Sequence, residues 1–223
     1  MRRSLNLNPS KRISGLYAIT PDFTDLAMLL PLIEAAIAGG ASVLQYRNKM
    51  QAPHIENIQS LAALSREKNI FCIANDSLQL AQYADGVHLG KDDSDIALAR
   101  QRLGANKIIG VSCYNSLERA MVAEEAGADY VAFGSMFDST TKPDAPRATL
   151  ELLREARSRL KIPIVAIGGI TLQNAHEVAA AGADAAAVIN AVFAATDVYR
   201  AAQAFSNIFN IDADHHESQP TTL

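Results

Sequence analysis

Ala126-Gly127-Ala128-Asp129 leads into Tyr130-Val131-Ala132-Phe133, and Ala181-Gly182-Ala183-Asp184 leads into Ala185-Ala186-Ala187-Val188-Ile189. Each four-residue turn follows a helical pattern and precedes a short run that is apolar on both faces. Gly ends the helix in a left-handed conformation and the chain turns into a buried strand. Ala38-Gly39-Gly40-Ala41 is a looser copy ahead of Ser42 to Arg47. A strand buried on both faces and entered from a helix belongs in a parallel sheet.

Working outward from these turns, the alternation fills the chain. Strands are expected over Leu16 to Thr20, Ser42 to Arg47, Phe71 to Ala74, Gly86 to Leu89, Lys107 to Val111, Tyr130 to Phe133, Ile164 to Ile167 and Ala185 to Ile189. Between them, apolar residues recur at helical spacing over Asp25 to Ala38, Pro53 to Lys68, Asp95 to Leu103, Leu150 to Leu160 and Leu172 to Ala180. Leu78 to Gln82 is a shorter helix, Ser116 is an N-cap with a partial capping box, and one last helix runs from about Ala191 to Phe209. Eight strands alternating with helices predict an α/β fold, a single (β/α)8 TIM barrel. An open doubly wound sheet is the alternative, weakened by the lack of a GxGxxG after the first strand. Residues 1-12 are expected as an N-terminal arm, 13-210 as the barrel, and the polar stretch 211-223, with His215-His216 and Pro220, as a disordered tail.

The chain has 223 residues, 49% of them hydrophobic and 20% charged, enough for one large core. A net charge of -4 and a pI near 5.7 argue against general nucleic-acid binding, so any anion site must be local. Cys72 and Cys113 have no CxxC partner, which fits a reduced, cytoplasmic chain. The segment behind Arg2-Arg3 has no apolar core and does not read as a signal peptide. The most apolar stretch, Leu26 to Ala38, is interrupted by Pro31 and Glu34 and is too short to span a membrane.

In a barrel, the segments after the strands share one face, and that face carries the chemistry. If Val43 to Lys49 is extended, Gln45, Arg47 and Lys49 point the same way; an amide, a guanidinium and an ammonium suit a polyanion. Asn75 and Asp76 follow the third strand, Gly90, Lys91, Asp92 and Asp93 the fourth, and Ser112 the fifth. A long loop, Gly134 to Ala148, holds Ser139, Thr141 and Lys142, and its stretch Ser135 to Ala148 is expected to be mobile. Asp76 and Asp93 are hard oxygen ligands suited to Mg2+ shared with a phosphate, although both also read as helix caps, and spacing does not separate Asp92 from Asp93. Gly168-Gly169, Ile189 and Asn190 follow the last two strands, where such barrels bind phosphate. Gly168-Gly169 also reads simply as a tight turn. Neither a Ser/His/Asp triad nor a zinc spacing is present. His88 reads as a satisfied core histidine, and His54 and His176 as solvated.

The chain resembles the thiamine phosphate synthase family. The matching motifs, in order, are Leu16-Tyr17-Ala18-Ile19-Thr20, Gln45-Tyr46-Arg47-Asn48-Lys49, Asn75-Asp76, Gly86-Val87-His88-Leu89-Gly90 with Asp93, Gly110-Val111-Ser112, Thr141-Lys142 and Ala166-Ile167-Gly168-Gly169-Ile170. The resemblance implies a Mg2+-assisted, dissociative transfer of hydroxymethylpyrimidine from its diphosphate to a thiazole phosphate or its carboxylated form, giving thiamine phosphate and diphosphate. It implies that Gln45, Arg47, Lys49, Asn75, Ser112 and Lys142 bind the pyrimidine diphosphate, with Arg47, Lys49, Lys142 and Ser112 acting in catalysis. It implies that Asp76 and Asp93 bind the metal, and that Ser139, Thr141, Gly169, Ile189 and Asn190 hold the thiazole phosphate. Ser139, Asn190 and Lys91 stand where the family often has Thr, Ser and Gln. The implied partners are these small molecules, with no nucleic acid and no membrane; a homo-oligomer is allowed. The related thiazole tautomerase uses a His shortly after the fifth strand, where this chain has Ser112-Cys113-Tyr114-Asn115. A non-catalytic binder of thiamine precursors would have little use for the Asp76/Asp93 pair.

Overall fold

The computed structural model describes residues 13–50, 54–90, 95–138 and 147–216. Eight parallel strands close on themselves in sequence order: β1 Gly15–Ile19, β2 Ala41–Tyr46, β3 Phe71–Asn75, β4 Gly86–Leu89, β5 Ile108–Tyr114, β6 Tyr130–Phe133, β7 Ile164–Ile167 and β8 Ala185–Val188. The barrel closes where β1 pairs with β8, Gly15 opposite Ala185 and Ala18 opposite Val188. Around it run α1 Leu26–Ala38, α2 Ile55–Glu67, α3 Leu78–Ala81, α4 Ile96–Leu103, α5 Leu117–Glu125, α6 Leu150–Arg159, α7 Ala175–Ala180, α8 Asn190–Phe193 and α9 Val198–His216. The expected TIM barrel is the observed fold.

Two cores follow from the alternation of side chains along each strand. The outward set, including Leu16, Leu44, Cys72, Val87, Val111, Val131 and Ile164, packs under helix residues such as Ile33, Ile58, Leu61, Leu153 and Phe205. The inward set is smaller: Tyr17, Val43, Ile73, Ile108, Tyr130, Ala132, Val165, Ala185 and Ala187 fill the barrel, and Ile13 joins them. Two tyrosines fit inside because their neighbours are small. A Cβ at Gly110 would collide with the Tyr130 ring.

The turns behave as their composition requires. Gly40, Gly127 and Gly182 take φ of 107°, 91° and 100°, the left-handed region open to Gly. The aspartates that follow two of them have a further task. Asp129 donates its N–H to the Ile109 carbonyl (2.7 Å), while its Oδ2 accepts from the Ile109 N–H (2.7 Å). Asp184 does the same to Ile164, at 2.8 and 2.7 Å. Asp85, in the turn before β4, does the same to Cys72, both at 2.8 Å. Each aspartate clasps one residue of the preceding strand and sets the register there.

Four expectations need correction. β5 runs on to Tyr114, because a bulge between Ser112 and Tyr114 lets its ladder with β6 continue, so Ser112 lies inside the strand. β2 stops at Tyr46, leaving Arg47 and Lys49 beyond it rather than on a shared strand face with Gln45. The last helix is two helices, because Asp197 caps a new one by accepting from the Arg200 N–H (3.0 Å). α9 then continues to His216, into the stretch expected as a tail; no Gly or Pro stands before Pro220 to stop it. Residues 1-12 and 217–223 lie outside the described residues.

Candidate active site

The C-terminal ends of the strands carry a cleft of about 360 Å³ lined by Tyr46, Arg47, Asn48, Lys49, Asn75, Asp76, Ser77 and Leu80. It brings together four residues singled out from the sequence: Arg47, Lys49, Asn75 and Asp76. Two elements build its cationic wall. The segment after β2 is laced to the segment after β1 by side chains of both. Thr20 Oγ1 donates to the Arg47 carbonyl (2.7 Å) and accepts from the Arg47 N–H (2.9 Å). Asp22 Oδ1 accepts from Arg47 Nη1 (3.1 Å) and from the Lys49 N–H (2.7 Å). Asn48 Nδ2 donates to the Phe23 carbonyl (2.8 Å). The guanidinium is thus oriented by Asp22 through Nη1, and the Arg47 side chain keeps 16% exposure. Lys49 is exposed.

The opposite wall is β3 and its continuation. Asp76 has φ 58°, in the left-handed region. It does not cap α3; Ser77 does, its hydroxyl accepting from the Leu80 N–H at 3.2 Å. The Asp76 carboxylate instead accepts from Asn75 Nδ2 (2.6 Å) and from the Gly90 N–H (3.1 Å), and it remains exposed. An exposed carboxylate turned to the cation-lined cleft is the kind of hard donor Mg2+ takes beside phosphate oxygens. Its expected partner Asp93, with the rival Asp92, lies outside the described residues. Among the described residues no cluster of three metal-ligating side chains occurs.

Gln45 and Ser112 sit deeper, within the mouth of the barrel. Gln45 is 3% exposed and its Nε2 donates to the Tyr17 hydroxyl (3.0 Å). That hydroxyl lies 2.8 Å from the Tyr130 hydroxyl, which lies 2.9 Å from His88 Nδ1; His88 Nε2 lies 2.8 Å from Ser112 Oγ. The expectation of a satisfied core histidine therefore holds. Enclosure in the barrel pushes the His88 ring down to about 4 and the Tyr17 and Tyr130 hydroxyls above their usual range, so all three are neutral at pH 7.

Gly168, Gly169, Ile189 and Asn190 lie at the same end of the barrel. Gly168 and Gly169 have φ of 99° and 65°, and a Cβ on either would meet the backbone of Ser135 or Phe137 at 2.7 Å. Met136 and Phe137 donate their N–H groups to the Ile167 and Gly168 carbonyls, both at 3.0 Å. The Gly pair therefore has a packing reason, the close docking of the segment after β6. Ile189 precedes α8 and Asn190 opens it; at four residues α8 offers a weak dipole. Ser139, Thr141 and Lys142 lie outside the described residues, as does most of the loop expected to be mobile. At its edges, Asp138 and Arg147 form an ion pair. His54 and His176 are exposed.

Sequence reasoning missed Thr20, Asp22, Tyr17 and Tyr130. Thr20-Pro21-Asp22 directly follows β1, so position alone marked two of them. The tyrosines read as core, and only the closed barrel places their hydroxyls together.

The fold is a closed eight-stranded parallel barrel with a cleft lined by Arg47, Lys49, Asn75 and Asp76 at the strand C-terminal ends. Residues 16–192 match the model of the thiamine monophosphate synthase family. The chain is 54% identical over 202 residues to the thiamine-phosphate synthase of Methylobacillus flagellatus, covering 89% of this chain and 96% of that protein. It is 52% identical over 216 residues to the thiamine-phosphate synthase of Methylococcus capsulatus, covering 94% and 95%. The solved thiamine phosphate pyrophosphorylase of Pyrococcus furiosus superposes with a TM-score of 0.80 at 38% identity, covering 92% of this chain and 98% of that one. The chain belongs to the thiamine monophosphate synthase family. It is an enzyme, a transferase of thiamine biosynthesis whose chemistry is the synthesis of thiamine phosphate. Among the described residues, no helix is long and apolar enough to cross a membrane.

Proposed function

We propose that the enzyme joins 4-amino-2-methyl-5-hydroxymethylpyrimidine diphosphate to a thiazole phosphate, or its carboxylated form, by a dissociative substitution assisted by Mg2+. The supporting observation is the cleft: a guanidinium, an ammonium, an amide and an exposed carboxylate share one wall-to-wall site at the end of the barrel where these folds do chemistry. The residues fit a metal held by Asp76 and Asp93 with diphosphate oxygens. When bound, Mg2+ supplies positive charge against the leaving diphosphate.

This chain's own residues do the rest. Arg47, held by Asp22, and Lys49, whose N–H the same carboxylate fixes, face the diphosphate and stabilise charge as the C–O bond to the pyrimidine methylene breaks. Lys142 adds a third positive charge, Asn75 donates an amide, and Gln45 and Ser112 hold the pyrimidine end. The thiazole nitrogen then forms the new C–N bond with its own lone pair, so no general base is needed. Ser139, Thr141, Gly169, Ile189 and Asn190 hold the thiazole phosphate at the ends of β6 to β8. The enzyme works in the cytoplasm.

The test is product formation from the two purified substrates, with Mg2+ and with chelator, for the native chain and for Asp76→Ala and Asp93→Ala. Metal-dependent thiamine phosphate that falls by orders of magnitude in both variants is the expected result. Activity indifferent to chelator removes the metal. Loss in Asp76→Ala alone passes the second ligand to Asp92. Interconversion of thiazole carboxylate isomers with no thiamine phosphate sinks the reading in favour of the tautomerase chemistry.

A further inference from the structure

Five side chains form one continuous hydrogen-bonded chain across the inside of the barrel, from Gln45 on β2 through Tyr17 on β1, Tyr130 on β6 and His88 on β4 to Ser112 on β5. Tyr17 and Tyr130 are 1% and 0% exposed. Their rings meet edge-on at 6.0 Å, and His88 stacks on Tyr130 at 5.6 Å. Water has little access to the middle of this hydrogen-bonded row.

Proton counting gives it a direction. A hydroxyl has one proton and a neutral imidazole has one N–H. Gln45 Nε2 donates to the Tyr17 oxygen, so the Tyr17 proton goes to Tyr130, the Tyr130 proton goes to His88 Nδ1, and the ring carries its proton on Nε2. That N–H donates to Ser112 Oγ, and the Ser112 proton is left free to point into the mouth. With the Gln45 amide as it stands, Nε2 toward Tyr17, the reverse order fails at its far end; only turning the amide over, Oε1 toward Tyr17, would permit it. If His88 carried a proton on Nδ1, alone or as imidazolium, Tyr130 would have to donate to Tyr17. The Tyr17 oxygen would then receive two donors, and its own proton, fully enclosed, would have no acceptor among the described residues; a buried unmade donor is costly.

We infer that this chain is a one-way donor relay in orientation, in which Gln45 sets the tautomer of His88 through two tyrosines and commits the Ser112 hydroxyl to donate to the bound substrate. His88, Tyr17 and Tyr130 are then positioning residues, acting through Ser112. The direction of the chain is a property of the free protein. That the acceptor of the Ser112 proton is the pyrimidine diphosphate rests on the proposed function.

The test reads the tautomer directly. Protein labelled with 15N-histidine, free of substrate and at neutral pH, gives imidazole nitrogen spectra in which Nδ1–H, Nε2–H and imidazolium forms have distinct patterns; His88→Gln assigns the signal among the five histidines. The expected pattern for His88 is Nε2–H. An Nδ1–H pattern, an imidazolium or an exchange average overturns the inference. Gln45→Glu is expected to reverse the chain, because an ionised carboxylate only accepts: Tyr17 donates to it, each proton shifts one place, and His88 becomes Nδ1–H. A folded Gln45→Glu protein that keeps Nε2–H also overturns it. Tyr130→Phe keeps the ring and removes the link, so it guards against a carboxylate that takes up a proton or unfolds the barrel. It should leave His88 a mixture of tautomers; an unmixed Nε2–H signal there means that something else sets the ring. In turnover, Tyr130→Phe should lower kcat/KM about tenfold, the scale of one misplaced hydrogen bond, and add nothing in a Ser112→Ala background. Additive losses mean that Tyr130 does not act through Ser112. The expected tautomers in a protein that makes no thiamine phosphate would keep the chain and remove the reading of its ligand.

Discussion

The two ends of this barrel use the same residue types to opposite effect. At the end where strands begin, cations and carboxylates are tied to one another and to the backbone. Asp129 Oδ2 accepts from Arg100 (2.8 Å) as well as from the Ile109 N–H, and Arg100 also donates to the Gly104, Lys107 and Gly127 carbonyls. Asp184 Oδ2 accepts from Arg157 (2.8 Å), which also donates to the Leu160 carbonyl. Lys107 donates to the Gln82 and Ala84 carbonyls with the Asp85 charge alongside. At the end where strands finish, Arg47 has one carboxylate contact, through Nη1, and Lys49 and Asp76 are exposed around a cleft. A cation whose hydrogens end on protein oxygens holds loops together. A cation held at one corner can turn the rest toward an anion. Position along the strand, rather than residue type, separates the structural charges from those available to a substrate.

The largest expected effect breaks the second half of that comparison. Arg47→Ala should lower kcat/KM by about a hundredfold to a thousandfold, the usual scale for one lost transition-state donor, with little change in Tm. A large fall in Tm with activity preserved would place Arg47 among the structural cations. Next comes Asp184→Ala, which leaves the Ile164 N–H and Arg157 without their acceptor. The pair is only about one-third exposed, so a loss of about 2 kcal/mol is expected, seen as a fall in Tm of roughly 4–8 °C, with kcat/KM unchanged at permissive temperature. Equal damage to stability and turnover would mean that the two ends are coupled through the barrel. Asp22→Ala lies between the classes. It releases a guanidinium and a backbone N–H that face the cleft, so about a tenfold loss in kcat/KM with a small change in Tm should follow.

The strand and helix order was legible because each element announces itself locally. Gly127 and Gly182 mark helix ends, Ser116 and Thr149 cap helices by accepting from Arg119 and Leu152 N–H groups, and the strands are apolar on both faces. What was not legible lies across the chain. The aspartates of the repeated turns read as turn residues; that they clasp Ile109 and Ile164 depends on pairing 20 residues back. Tyr17 and Tyr130 meet over 113 residues of separation. Gln45 read as one of three polar residues on a strand face, yet it shares the inward face of β2 with Val43, and the Tyr17 hydroxyl accepts from it inside the closed barrel. The cationic motif itself was readable, since Arg47 and Lys49 follow the strand at once. Asp22, which orients them, comes from a neighbouring strand end and has no local signature beyond its place after β1.

The smallest expected effect compares the two ends within one molecule. Cys72 sits at the strand-entry end, its N–H held by Asp85, and Cys113 sits in the bulged part of β5 toward its C-terminal end. Both are free and fully enclosed, and burial pushes both thiols up to about 12. Both must therefore be exposed by local opening before they react, and labelling in the native protein reports how often each region opens. A thiol reagent at pH 8 should modify Cys113 a few-fold faster than Cys72, and both far more slowly than in urea. Asp85→Ala should speed Cys72 alone, because it removes the acceptor that closes that end and leaves the bulge untouched. Faster labelling of Cys72 in the native chain would mean that the clasps do not make the strand-entry end the more closed one. The contrast between the ends would then rest on charge alone.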